Sequence, residues 1–253
     1  MNILVCVKRV PLTGGKIVLT DDERAISTRH LGFTVSPHEE CGVEEAVRLI
    51  EQHGGSSTVL TLGPPEAEEQ LRDMMALGVD RAVHLVTDGS EEWDPQATAG
   101  AIVDAIRSQP DPYDLILFGN ESADAGNYQV AIRVAHKLGL PVVTGVKGID
   151  VQGDGQVRLA QEVPGGRDVY LVPMPAVVTV KEGLNLPRYP SVPGRLRAKR
   201  KPVESATPSR PQPRLEMVRL VLPPGSGKQT EVLGNGADAA GAVVGVLREL
   251  GLV

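Results

Sequence analysis

Leu115 to Gln129 reads LILFGNESADAGNYQ. Leu115 to Phe118 is an apolar run of strand length and composition. Gly119 breaks it, and small or polar residues follow at Asn120, Ser122, Asp124 and Gly126. A helical pattern then starts, with Val130, Val134 and Leu138 on one face. Strand, glycine-containing loop and helix N-terminus is the order in which α/β proteins hold phosphates. Glycine lets the backbone come close, and the first helical N–H groups and the helix dipole favour an anion. Asp124 or Ser122 is the expected cap of that helix. An ordinary strand-to-helix turn has the same local signature, so these residues decide the fold class before they decide a ligand.

The chain on the N-terminal side repeats the alternation. Asn2 to Lys8 reads as a buried first strand, ended by Pro11 and Gly14–Gly15. Ile17 to Thr34 is polar and irregular, a hairpin or an excursion. Ser36–Pro37–His38–Glu39 has the form of a capping box, with Pro in the first turn. Val43, Ala46, Val47 and Ile50 give that helix its apolar face, and Gly54–Gly55 stop it. Ser57 to Leu62 is the next strand. Gly63–Pro64–Pro65 opens a helix faced by Ala67, Leu71, Met74 and Met75, a methionine pair read as core. Gly78 ends it. Arg81 to Val86 is a strand, and Asp94–Pro95 starts a helix with Thr98, Ala101, Ile102 and Ala105 inward. Strand after helix through about residue 140 means a doubly wound, mainly parallel α/β sheet. Ligands of such sheets lie beyond the carboxyl ends of the strands, where the strand order reverses. Three loops are expected to converge there: after Val7, around Ser36, and Gly119 to Gln129.

The texture changes after Pro141. Val142–Val146, Gln156–Val163, Val169–Val172 and Ala176–Val180 follow with no helix between them, and Gly153–Asp154–Gly155 and Gly165–Gly166 signal turns. They read as an added antiparallel strand set. Lys181 to Lys201 reads as irregular, and it carries a basic cluster at Arg195, Arg197, Lys199, Arg200 and Lys201. That cluster is either a solvated helix end or a partner-docking segment. Ser205 to Arg214 is Pro-rich and extended. Leu215 to Leu222 suits a late strand. Ala237 to Leu250 is an amphipathic helix with Ala240, Val243, Val244 and Leu247 inward. Beyond a linker it must bury that face elsewhere, and a partner subunit is one candidate. The expected division is an α/β domain over 1–203, containing a partner-recognition segment at 181–201, and a linker with a C-terminal arm over 204–253.

Composition narrows the function. The 253 residues are 41% hydrophobic but only 3% aromatic, so Val, Leu, Ile and Ala fill the core. A formal net charge of −6 argues against general nucleic-acid affinity. Cys6 and Cys41 make no Cys-x-x-Cys, and the histidines lack metal spacing. The first apolar run is too short for a signal peptide, and no run is long enough to cross a membrane, which reads as a soluble cytoplasmic protein. Two motifs are decoys. Pro224 to Thr230 hints at a P-loop, but Leu222 replaces its first Gly and Gln229 its Ser or Thr. Gly234 to Ala239 fits a loose dinucleotide fingerprint, but no βαβ unit can follow before Val253, so the glycines serve a turn into the last helix.

Together these segments resemble the electron transfer flavoprotein β-subunit family. MNILVCVKRVP, SPHEECGVEEAVRLIE, TLGPPEAEEQLRDMMALGVDRAVHL, LILFGNESADAGNYQV, LNLPRYPSVPGRLRAKRKP and LGNGADAAGAVVGVLRELGLV fit it in the same order through nearly the whole chain. The resemblance implies a heterodimer with an electron transfer flavoprotein α subunit, with one FAD lying mainly on α. The β subunit, with a Rossmann-like, adenine-nucleotide-binding fold, would hold AMP, or a second FAD in bifurcating members. The pair would carry electrons from acyl-CoA-type or other flavoprotein dehydrogenases toward a membrane quinone oxidoreductase, as a carrier rather than a substrate-turnover enzyme. It further implies that the nucleotide site is lined by Val7, Ser36, Pro37, His38, Glu39, Leu62, Gly63, Gly119, Asn120, Glu121, Ser122, Ala123, Asp124, Ala125, Gly126, Asn127, Tyr128, Gln129 and Val130. Val192 takes the place of a hydrophobic partner anchor, usually Leu, with Arg195, Arg197, Lys199 and Arg200 beside it to steer encounter.

The chain departs from the pattern at several points. Ser36 replaces a usual Asn and still caps. Asn120 and Glu121 replace a common Lys/Arg–Gln pair. Ala125 and Gly126 stand where another acidic residue is frequent, while Asp124 and Gln129 keep their places. Losing a cation and gaining Glu121 weakens a phosphate contact unless backbone N–H groups carry it. The competing reading is a stand-alone adenine-nucleotide-binding module of the universal-stress or pyrophosphatase type. It gives no role to the basic segment or the last helix.

Overall fold

In the first strand Ile3 and Val5 bury into one hydrophobic cluster, while Leu4 and Cys6 bury into another. A strand apolar on both faces belongs in the middle of a covered parallel sheet. That is its place in the computed structural model, which describes residues 1–12, 14, 17–89, 93–215, 217–224 and 231–253.

The elements in chain order are β1 (Asn2–Cys6), β2 (Val10–Pro11), β3 (Phe33–Thr34), α1 (Pro37–His53), β4 (Ser56–Gly63), α2 (Glu68–Leu77), β5 (Arg81–Val86), α3 (Pro95–Ser108), β6 (Leu115–Gly119) and α4 (Val130–Leu138). There follow β7 (Val142–Val151), β8 (Gln156–Val163), β9 (Gly166–Pro173), β10 (Ala176–Val180), α5 (Val192–Ala198), β11 (Val203–Ala206) and α6 (Ala240–Glu249), with 3₁₀ turns before α2 and α6. One nine-stranded sheet has the order β11-β5-β4-β1-β6-β10-β7-β8-β9. All pairings from β11 to β7 are parallel, and β7–β8 and β8–β9 are antiparallel. Helices α1 and α2 bury Val43, Ala46, Val47, Leu71, Met74 and Met75 on one face. Helices α3 and α4 bury Ala101, Ile102, Ala105 and Val134 on the other. The doubly wound α/β expectation holds, and the methionine pair is core.

Strand order runs outward from β1 to β4 and β5, then returns across the sheet to β6. The reversal lies between β1 and β6, and the loops leaving both strands open at their carboxyl ends. The 12–32 excursion is closed at its base by β2–β3 pairing and pinched by a Leu19–Ile26 bridge.

Three sequence expectations need correction. Ala176–Val180 is not part of an antiparallel set: β10 inserts between β6 and β7, parallel to both, and Ala176, Val177, Val178 and Val180 are fully buried. A five-residue apolar run bounded by turns looks alike in either setting, and only pairing separates them. Lys181–Lys201 is not irregular throughout. Ser191 caps α5 by accepting from the Gly194 N–H at 3.1 Å. Among the described residues of 215–222 no strand forms. Leu215, Val218 and Val221 are exposed, and the Leu220 N–H donates to the Glu23 carbonyl at 2.7 Å. Residues 225–230 of the P-loop-like stretch and Gly15 lie outside the described residues. Gly234 and Gly236 take positive φ and lead into the turn before α6, as expected of turn glycines.

Candidate functional site

The three loops expected to converge do so. Lys8, just past β1, places Nζ 2.7 Å from Asp124 in the loop after β6. The Lys8 N–H donates to Glu39 Oε1 at 3.1 Å, in the first turn of α1. The Ser36 N–H donates to Glu39 Oε2 at 3.2 Å, which is the firm half of the capping box. The Ser36 hydroxyl is buried and falls short of good hydrogen-bond geometry toward any partner. Gly119 packs directly on this helix start: a Cβ there would lie 2.7 Å from Glu39 Cγ and 3.3 Å from His38 Cβ. The glycine predicted to admit a ligand therefore first admits α1.

Beside this junction is a cavity of about 380 Å³, within the range that holds small ligands. Ser36, Pro37 and His38 line it from α1, and Glu121 to Gly126 line it from the loop. Val7 is buried in the core, its N–H donating to Leu60 O at 2.9 Å, and is not among the lining residues. Leu62 and Gly63 end β4, where His84 Nε2 lies 3.3 Å from Gly63 O. Asn127 and Tyr128 are exposed, and Gln129 and Val130 begin α4. The expected cap of α4 by Asp124 or Ser122 is absent. Gln129 holds the N-cap place, and its Oε1 accepts from Arg133 at 2.8 Å. Asp124 instead pairs with Lys8 and accepts from the Ala125 N–H at 2.8 Å. Three loop residues separate Gly126 from the helix, too far for either side chain to reach its first turn.

Sequence reasoning missed Glu182. It lines the cavity, and its N–H donates to His38 Nδ1 at 2.7 Å. An accepting Nδ1 leaves the ring hydrogen on Nε2, 3.5 Å from Glu121 Oε1. The signal was available, because Glu182 follows β10. Reading β10 as antiparallel removed its loop from the carboxyl end of the parallel sheet.

The lining is acidic at Glu121, Asp124 and Glu182. Burial, then Glu182, raises the carboxyl of nearby Glu40. Burial pushes Glu39 up to about 8, against the opposing N–H groups of Lys8 and Ser36. Burial, then Glu39, raises the Cys6 thiol well above its ordinary range. Carboxylates accept hydrogen bonds, so they suit the hydroxyl groups of a ribose and the amino group of an adenine. Ser122, Ala123, Ala125 and Gly126 are small enough for close backbone approach, and the His38 ring hydrogen faces the same space. This donor and acceptor set fits a nucleotide of low charge better than a polyphosphate. Among the described residues no cluster of His, Cys, Asp or Glu is arranged to hold a metal ion.

Beyond β10 the chain is fastened along α1. Arg188 grips Glu44 at 2.9 Å and Glu51 at 2.7 Å, and Asn185 Nδ2 donates to Glu45 Oε2 at 2.9 Å and Cys41 O at 3.0 Å. Arg72 then reaches the Ala198 and Lys201 carbonyls at the end of α5, at 2.7 and 2.8 Å. Lys201 Nζ returns the favour at the end of α2, 3.2 Å from Met75 O and 2.5 Å from Val79 O. Gly194 lets the helices touch, since a Cβ there would lie 2.5 Å from Ala76 O. On this braced segment Leu186, Tyr189, Val192 and Leu196 are exposed, Val192 at 73%. Arg195, Arg197, Lys199 and Arg200 are exposed beside them. No residue of α6 is buried, and Val243 and Val244 are open.

The electron transfer flavoprotein domain matches residues 25–211. The electron transfer flavoprotein subunit beta of Bacillus subtilis is 33% identical over 256 residues, covering 98% of both chains. That of Syntrophomonas wolfei is 34% identical over 88% of this chain and 86% of its own. The Mycobacterium leprae subunit beta is 36% identical over 81% and 79%. Among the described residues no helix is long and apolar enough to cross a membrane.

Proposed function

The chain belongs to the electron transfer flavoprotein family as a β subunit, and on that premise we propose that it holds an adenine nucleotide between α1 and the loop after β6. Its partner as a β subunit is an α subunit, which in this reading holds most of one FAD. The pair carries electrons from flavoprotein dehydrogenases to a membrane quinone oxidoreductase. FAD supplies the redox chemistry; this chain's residues bind, orient and dock.

The observation that carries the nucleotide reading is one cavity lined by His38 and Asp124, with Lys8 paired to Asp124 beside it, where the strand order reverses. AMP is favoured over a second FAD because a cavity of about 380 Å³ suits a mononucleotide better than the larger dinucleotide. The opposite choice would make the chain the β subunit of a bifurcating carrier. The bare Val192 on a braced basic segment supports dehydrogenase docking. The open face of α6 supports an arm laid on the α subunit. A stand-alone nucleotide-binding module leaves both surfaces without work.

The test is to produce the chain with its α subunit, release the bound nucleotides and identify them by mass. One FAD and one AMP per pair, with reduction by a dehydrogenase, is the expected result. Two FAD would assign the bifurcating form. A homo-oligomer that refuses an α subunit and accepts no electrons would overturn the carrier reading.

A further inference from the structure

By resemblance Asn120 belongs to the nucleotide loop, where relatives commonly carry a Lys or Arg. Its side-chain oxygen bonds to β10. Thr179 Oγ1, 97% buried, donates to Asn120 Oδ1 at 2.9 Å, and the Asn120 N–H donates to Val180 O at 2.9 Å. The first residue of the loop is thus held to β10 by both main chain and side chain.

The same hydroxyl accepts from the Gly145 N–H at 2.9 Å. Pairing of β10 with β7 runs Val178 to Val143 and then Val180 to Val146, so two residues, Thr144 and Gly145, oppose Thr179 alone. This is a β-bulge, the device that frees ladder groups and re-aims a side chain beside functional sites. Gly145 takes φ +65°, and a Cβ on it would lie 3.3 Å from Gln161 Nε2 and 3.8 Å from Asn120 Oδ1. Gln161 Nε2 satisfies the other bulge residue by donating to Thr144 O at 2.8 Å. The bulge places one buried hydroxyl against the start of the 119–126 loop, donating to Asn120 and accepting from Gly145.

We propose that Thr179 and Asn120 are positioning residues that set the loop lining the nucleotide cavity, through a hydroxyl aimed by the β7 bulge. The proposal rests on the nucleotide reading above. Neither residue is among those lining the cavity, so the role assigned to them is positioning.

The experiment uses the chain paired with its α subunit, stripped of nucleotide, with AMP as the probe in calorimetry. Thr179→Val keeps the shape and removes the hydroxyl. It should weaken AMP by about tenfold or more, the worth of one buried hydrogen bond. Thr179→Ser should restore binding to within about threefold of the original protein. Asn120→Ala should match Thr179→Val, and the double variant should be no worse than either single one. AMP affinity unchanged in Thr179→Val and Asn120→Ala, or a Thr179→Ser as weak as Thr179→Val, overturns the proposal. If the original pair binds no AMP, the nucleotide reading fails separately. Hydrogen exchange then decides: loop amides about tenfold faster in Thr179→Val support the latch, and unchanged exchange ends it.

Discussion

A Cβ on Gly119 would stand 2.7 Å from Cγ of Glu39, so the strand leaving the sheet centre and the helix at the site meet with no room for one methyl group. Gly119→Ala must displace the buried Glu39 side chain or the start of α1. We expect a stability loss of about 1–3 kcal/mol in urea unfolding, together with weaker AMP binding, because the start of α1 lines the cavity. Unchanged values of both would mean that the helix start yields freely.

Glu39 makes the same junction sensitive to pH. Its carboxyl, raised to about 8 mainly by burial, keeps a proton in the folded chain that it loses near pH 4.3, roughly, when unfolded. Between these values the folded state binds more protons. The group's contribution is full in acid and is lost as pH rises toward 8. The stability difference between the original protein and Glu39→Gln should therefore fall from about pH 5 to 8 in denaturant titrations. A flat difference would show a carboxylate already charged at the lower pH.

How far the sequence reveals this molecule depends on the range of the interaction. Caps and periodicity are local, so α1, α2, α3 and the strands between them are legible from Ser36, Pro65 and Asp94 onward. The latch between Asn120 and Thr179 joins residues 59 apart, and no local pattern announces it. Glu182 escaped for a related reason: its place at the site depends on which strands flank β10. The reach of Asp124 toward Lys8, instead of toward α4, was equally hidden by the length of the loop.

Val192 is exposed at the first position of α5 and touches no buried cluster. Val192→Asp should leave folding and nucleotide content intact, since an acidic residue suits a helix N-terminus. It should slow reduction by the dehydrogenase by about tenfold or more if the side chain fills an apolar pocket. Stopped-flow reduction of the flavin reads this directly, and equal rates would remove the anchor role.

Arg188 holds the segment that carries Val192. Arg188→Ala strands the Glu44 carboxylate, which is 6% exposed, while the lost guanidinium is 35% exposed. The expected cost is about 1–3 kcal/mol, below that of a fully buried pair because solvent reaches the arginine. Thermal unfolding measures it. Dehydrogenase reduction should slow as well, while bound AMP stays. Loss of stability with full transfer rate would separate the brace from recognition.

Ending the chain after Gly236 removes α6, none of whose residues is buried. The truncated subunit should unfold at the same denaturant concentration as the intact one and bind its α subunit more weakly, by about tenfold or more, in sedimentation or calorimetry. Undiminished pairing would assign the helix elsewhere.

The insertion of β10 between β6 and β7 has a consequence for synthesis. Until residue 180 has left the ribosome, the growing sheet has a gap at its centre, with two apolar edges ready to pair with the wrong chain. Any exchange of the β8–β9 hairpin that precedes it must still deliver the chain to the start of the strand that joins the two halves.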